Sequence, residues 1–156
     1  MIKSIVTGGA GFIGSHIVEK LISLNHHVIC IDNEYSDNDS FYWNKKAENH
    51  KIDITEINSI RPLFKGVDFV FHCAAESRIG PAIENPTNAT FINVVGTCNV
   101  LQCARENKIK KVIYSSTSSG YGNNDCPNIE TQPDDCLNPY SVSKIAGEKL
   151  CKMYSN

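Results

Sequence analysis

Thr7-Gly8-Gly9-Ala10-Gly11-Phe12-Ile13-Gly14 decides the fold. It follows Ile2 to Thr7, a short apolar run that reads as a buried strand. It opens into Phe12 to Leu24, where Ile13, Ile17, Leu21 and Leu24 recur at helical spacing. A strand that turns through glycines into a helix presents free N–H groups and a positive helix end to an anion. Gly8 serves the tight turn, Gly11 the close approach of a pyrophosphate, and Gly14 the packing of helix on strand. A second strand, His27 to Ile31, ends at Asp32. A carboxylate there accepts hydrogen bonds from ribose hydroxyls. No arginine follows nearby to receive a 2'-phosphate, so the dinucleotide expected is NAD rather than NADP.

Outward from this motif, strand and helix alternate. Residues 33 to 47 carry turn formers (Asn33, Ser36, Asp37, Asn38, Asp39, Ser40) and read as a loop. Lys51 to Ile54 reads as a third strand, and Thr55 as the cap of a helix reaching Phe64. Asp68 to Cys73 is the fourth strand. Thr90 to Asn107 is a long helix with Val94, Val95, Leu101 and Ala104 on its apolar face. Lys111 to Ser115 is the fifth strand, and Tyr140 to Tyr154 a last helix. The order implies an α/β fold: a doubly wound parallel sheet of Rossmann type, with strand order 3-2-1-4-5. Tyr121 to Pro139 is a long irregular stretch, and stretches of that length are commonly functional or disordered.

Composition limits the partners. The 156 residues are 41% hydrophobic and 21% charged, with a formal net charge of -2 and a pI near 6.2. No basic face is implied, so neither nucleic acid nor an anionic membrane is an expected partner. The longest apolar run, Val67 to Ala75, is interrupted by Asp68 and His72 and is too short to span a bilayer. The N-terminus runs straight into the glycine motif and does not read as a signal peptide, so a cytoplasmic location is expected. Seven cysteines without a Cys-x-x-Cys pair read as reduced thiols. His16, His26, His27, His50 and His72 show no ligand spacing with them, and no metal site is expected.

Tyr140 and Lys144 stand one helical turn apart on the last helix and share a face. A free tyrosine has a pKa of about 10 and works as a base near neutrality only beside a cation. Lys144 and a positive nicotinamide ring are the available cations. The fifth strand runs into Tyr114-Ser115-Ser116-Thr117-Ser118-Ser119-Gly120-Tyr121-Gly122, a hydroxyl-rich string at the edge of the sheet where open α/β folds bind ligands.

Five segments together resemble the extended short-chain dehydrogenases/reductases: the glycine motif, His72-Cys73-Ala74-Ala75, Asn93-Val94-Val95-Gly96-Thr97, the hydroxyl string with Tyr121-Gly122, and Asn138-Pro139-Tyr140-Ser141-Val142-Ser143-Lys144. Within that group the chain is similar to the NAD-dependent epimerase/dehydratase family, which acts on nucleotide sugars. The resemblance implies that Gly8, Gly11, Phe12, Ile13 and Gly14 hold the cofactor diphosphate. It places Asp32 and Asn33 at the adenosine ribose, and Asp53 and Ile54 beside the adenine. Ala74, Ala75, Ser77 and Ser115 fall on the nicotinamide side, and Asn93 in a motif that supports the site. Thr117 becomes the catalytic hydroxyl, Tyr140 the acid/base, and Lys144 its partner; the last two also contact the cofactor.

The chain departs from the family in two places. The family's sugar-nucleotide 4,6-dehydratases carry Asp-Glu after the catalytic threonine, and Ser118-Ser119 stands there instead. Removing water across two carbons needs a further acid and base, so 4-epimerisation of a UDP-sugar is the expected reaction. Dehydration or decarboxylation is the alternative within the family, a reductase or dehydrogenase lies further off, and a non-catalytic NAD-binding module is the alternative of another class. The second departure is length. Family members are about twice as long and place the substrate region in their C-terminal half. The resemblance therefore implies one NAD-binding domain over residues 1–156, truncated after the catalytic helix, and a homodimer for the full-length form.

Overall fold

A computed structural model describes residues 1–36 and 40–155. Asp37, Asn38 and Asp39, read above as turn formers, lie outside the described residues. Five parallel strands form one sheet: β1 (Lys3–Thr7), β2 (His27–Asp32), β3 (Glu48–Lys51), β4 (Phe69–His72) and β5 (Lys111–Tyr114). Their order is β3-β2-β1-β4-β5, as the alternation implied.

The central strands are apolar on both faces because both faces are covered. Successive side chains point to opposite sides, so Val6, Val28 and Cys30 meet Val18 and Leu21 of α1 (Phe12–Ser23). Ile5, Ile29 and Ile31 face the other way. There they join Ile60 and Phe64, which belong to α2 (Ile57–Ile60) and to the 3-10 turn Arg61–Phe64 that follows it. Val70, Val100 and Cys103 belong to the same core, with Ile54, Val67 and Ala104.

Several boundaries differ from the sequence reading, each for a physical reason. The third strand lies at Glu48–Lys51, not 51 to 54. It is a polar edge strand and carries no hydrophobic alternation. The main chain leaves the sheet at Asp53, whose Oδ1 accepts from both the backbone N–H and the hydroxyl of Thr55 at 2.8 and 2.7 Å. Thr55 lies one residue before Glu56, the residue that precedes α2, and its hydroxyl turns back to Asp53, so it caps no helix. Pro62 then turns the end of α2 into 3-10 form.

On α1 the buried positions are Gly14, Ser15, Val18 and Leu21, while Ile13 and Leu24 are exposed. The segment read as one helix from Thr90 to Asn107 has three parts. They are α4 (Pro86–Thr90), a π-helical turn (Phe91–Gly96) and α5 (Thr97–Glu106). The wider π turn shifts the helix phase, so Ile92, Asn93 and Gly96 are buried and Val95 is exposed. A short helix, α3 (Ile79–Glu84), precedes α4. The last helix, α6 (Pro139–Ser155), starts where Asn138 Oδ1 accepts the Ser141 N–H at 2.9 Å with Pro139 in the first turn. The stretch before it is a loop bonded to itself: Asp135 N–H donates to Gly120 O, and Gln132 donates to Asp125 O, both at 2.8 Å.

Candidate active site

The carboxyl ends of the strands frame a cavity of 360 Å³. Following the sheet order, Asp53 and Ile54 line it beyond β3, Asp32 and Asn33 beyond β2, and the glycine motif beyond β1. Ala74, Ala75 and Ser77 follow β4, and Ser115 follows β5. Gly8, Gly11, Phe12, Ile13 and Gly14 all stand on its wall.

The glycines act by space. Gly8 sits at φ +66, and a Cβ there would lie 2.7 Å from the Ala74 nitrogen. A Cβ on Gly14 would press into the Gly8 carbonyl group and come within 2.8 Å of Gly9 Cα. Gly11 caps α1 with no side chain, and no acidic residue occupies the first turn. The N–H groups of Phe12, Ile13 and Gly14 have no intrahelical acceptor. Phe12 is 81% exposed and Ile13 59%; both side chains stand at the cavity mouth, which accounts for their place outside the core.

Asp32 is buried and fixed from two sides. Its Oδ2 accepts the Ala10 N–H at 3.0 Å and its Oδ1 the Glu34 N–H at 2.8 Å. A carboxylate has about four acceptor positions, so capacity remains toward the cavity. Asn33 donates through Nδ2 to Asp53 Oδ2 at 2.8 Å and joins the ends of β2 and β3. Asn88 of α4 donates to the Tyr35 hydroxyl at 2.8 Å, linking the loop after β2 to the helices after β4. A dinucleotide fits this set: N–H donors at a positive helix end for its diphosphate and a fixed carboxylate for a ribose.

Thr117, Tyr140 and Lys144 do not line the cavity; they stand on its β5–α6 side. Thr117 Oγ1 accepts the Ser119 N–H at 3.1 Å and starts a 3-10 turn, Ser118–Tyr121. Its own proton goes to no acceptor among the described residues, and the Tyr140 hydroxyl likewise bonds to none of them. Lys144 is 3% exposed. Its Nζ lies 4.3 Å from the centre of the Tyr114 ring, and the Tyr114 hydroxyl donates to the Lys144 carbonyl at 3.1 Å. Burial pulls the ammonium down to about 8, against the raising effect of Cys73, Cys151 and Glu148. Cys73 lines the cavity, and its Sγ lies 3.4 Å from Ser115 Oγ.

A buried polar network joins these parts. Asn93 Oδ1 accepts the Glu76 N–H at 2.7 Å, and its Nδ2 donates to Glu76 O at 3.0 Å and to Ser143 Oγ at 2.9 Å. Ser143 Oγ donates in turn to the Tyr140 carbonyl at 2.7 Å. Sequence reasoning missed Tyr114, Ser143, Arg78, Tyr35 and Phe41. Ser143 and Tyr114 lay inside quoted motifs but had no separate signal. Arg78, Tyr35 and Phe41 line the cavity from segments without periodicity.

A family model described as the NAD dependent epimerase/dehydratase family matches residues 4–156. The chain belongs to that family. A Methanocaldococcus jannaschii relative, provisionally named as a UDP-glucose 4-epimerase, is 42% identical over 154 residues, covering 97% of this chain and 50% of its own. The solved UDP-glucose 4-epimerase of Thermotoga maritima with UDP-glucose is 31% identical with a TM-score of 0.94, covering 99% of this chain and 51% of that one. The Thermus thermophilus UDP-glucose 4-epimerase complex with NAD is 30% identical with a TM-score of 0.89, over 99% and 51%. The chain thus spans about half the length of the family members it matches. No described helix is long and apolar enough to cross a membrane.

Proposed function

We propose that residues 1–156 are the NAD-binding half of a nucleotide-sugar 4-epimerase acting on a UDP-sugar in the cytoplasm, with the substrate region supplied by further chain. One observation carries this reading. A cavity suited to a dinucleotide is lined by Cys73 and Ser115, and Cys73 lies within electrostatic reach of a buried lysine on the helix that also presents Tyr140.

NAD, when bound, supplies the hydride acceptor and donor for the sugar carbon. The chain's own residues handle the proton and the oxygen. Tyr140 takes the proton of the 4-hydroxyl, and the free Thr117 hydroxyl proton holds that oxygen in place. Lys144 keeps a positive charge one turn below Tyr140. Ser118 and Ser119 offer no second acid–base pair, which favours epimerisation over loss of water. The full-length form is read as a homodimer built on α5 and α6.

The test is 4-epimerisation of UDP-hexoses and UDP-N-acetylhexosamines by the protein with its C-terminal region. Absence of turnover on every such sugar would sink the proposal. Binding comes first. NAD is expected to bind more tightly than NADP, since Asp32 repels a 2'-phosphate. Asp32→Ala should weaken NAD by about 1–3 kcal/mol, the scale of a hydrogen bond to a charged group. Calorimetric titration of both cofactors checks this, and equal affinity for NADP would overturn it.

A further inference from the structure

His72, the last residue of β4, is fully enclosed and enters none of the roles above. Its ring bonds on both sides: Nδ1 lies 2.6 Å from Thr7 Oγ1 and Nε2 lies 2.9 Å from Thr97 Oγ1. The hydrogens can be assigned by counting. Thr97 gives its one hydroxyl proton to the Asn93 carbonyl at 2.6 Å, so toward His72 it can only accept. Nε2 therefore carries a proton. In a neutral ring Nδ1 is then the acceptor, and Thr7 donates to it. The Thr7 oxygen in turn accepts the Ala74 N–H at 3.3 Å. One directed chain runs from Ala74, on the cavity wall, through Thr7, His72 and Thr97 to Asn93. That chain ends on the main-chain carbonyl of Asn93, and from the side-chain amide of the same residue a second one runs through Ser143 Oγ to the carbonyl of Tyr140.

We propose that His72 is a positioning residue which, as the neutral Nε2–H imidazole, fixes the cavity wall at Ala74 relative to the first turn of α6. This rests on reading the cavity as a nicotinamide-dinucleotide site. Protonation would put a hydrogen on Nδ1 and leave the Thr7 hydroxyl proton without its acceptor. The titratable groups facing the ring are Tyr114 from β5, at 5.6 Å between ring centres, and Lys144 from α6. Burial, and secondarily Lys144, holds the imidazole down at about 3. Neutrality thus belongs to the geometry throughout the physiological range.

The test begins with the chain as it is. Long-range nitrogen–proton NMR of the imidazole should show the Nε2–H form unchanged between pH 8 and pH 5. Thr7→Val keeps the strand and the shape but deletes the hydroxyl. It should lower NAD affinity about tenfold, the scale of one lost buried hydrogen bond, and shift the backbone amide signals of Tyr140 to Lys144. AMP, which lacks the nicotinamide half, should bind as before. Thr7→Ser should restore all of these. An imidazole that titrates near its ordinary value, or one in the Nδ1–H form, overturns the proposal without any variant. So does a folded Thr7→Val chain with unchanged NAD affinity and unchanged α6 signals. Failure of the unaltered chain to bind NAD would instead sink the cofactor reading, while the tautomer result would stand apart from it.

Discussion

Tyr140→Phe is expected to cut 4-epimerisation by about 10²–10⁴, the range of a lost acid–base group, while NAD remains bound. The separation follows from how the residue is held. Asn138 and Pro139 start the helix, and Ser143 bonds to the carbonyl of Tyr140, not to its ring. The phenol can therefore be removed without loosening the turn that carries it. What disappears is the hydroxyl, which bonds to no described residue and is free for substrate. The measurement is turnover of a UDP-hexose in the protein with its C-terminal region, with bound NAD quantified in the same preparation. Turnover near that of the unaltered protein would refute the assignment. Loss of NAD together with turnover would show that Tyr140 acts through the fold.

Lys144→Met is expected to abolish turnover and yet make the chain more stable at neutral pH. Burial lowers the ammonium from its ordinary 10.5 to about 8. That corresponds to roughly 3 kcal/mol of folding free energy, at about 1.4 kcal/mol for each pH unit. The sign follows from proton counting. Below pH 8 both folded and unfolded chains hold the proton, and the folded chain bears the full cost of burying it. Between pH 8 and 10.5 the unfolded chain binds more protons than the folded one, so this cost fades as pH rises. Methionine has no charge to bury and a similar length. Its advantage should be greatest at pH 7 and should shrink by pH 9.5, read as the difference in denaturation midpoints between the two proteins. A constant difference, or a less stable Lys144→Met chain at pH 7, would contradict the argument. Under the proposed function, the lysine gives up stability for chemistry.

How much of this was legible in the sequence depends on how local each feature is. The strand order followed from glycines at fixed offsets, from Asp32 at a strand end, and from apolar runs covered on both faces. Such signals lie within a few residues of the structure they specify. The edge strand Glu48–Lys51 escaped because it is polar and exposed. Its place is set by pairing with β2, a partner distant in sequence. The apolar face of the long helix was misread at Val95 because periodicity assumes 3.6 residues per turn, and the π turn breaks that count. The cavity residues came from motif matching, whereas their mutual support came only with coordinates. Nothing in Thr7 or Thr97 alone announces that both hydroxyls clasp one imidazole.

The π turn at Phe91–Gly96 also limits how this chain can change in length. A π turn amounts to one extra residue inside an α-helix. It aims Asn93 at Glu76 and Ser143, and places Thr97 four residues later against His72. Deleting one residue between Asn93 and Thr97 would restore a regular helix, but would rotate Asn93 by about 100° relative to α5. Asn93 would then face away from both partners. Substitutions can be absorbed on the exposed side, at Phe91 and Val95. Single-residue insertions and deletions cannot, so drift in this segment is confined to changes that keep its length.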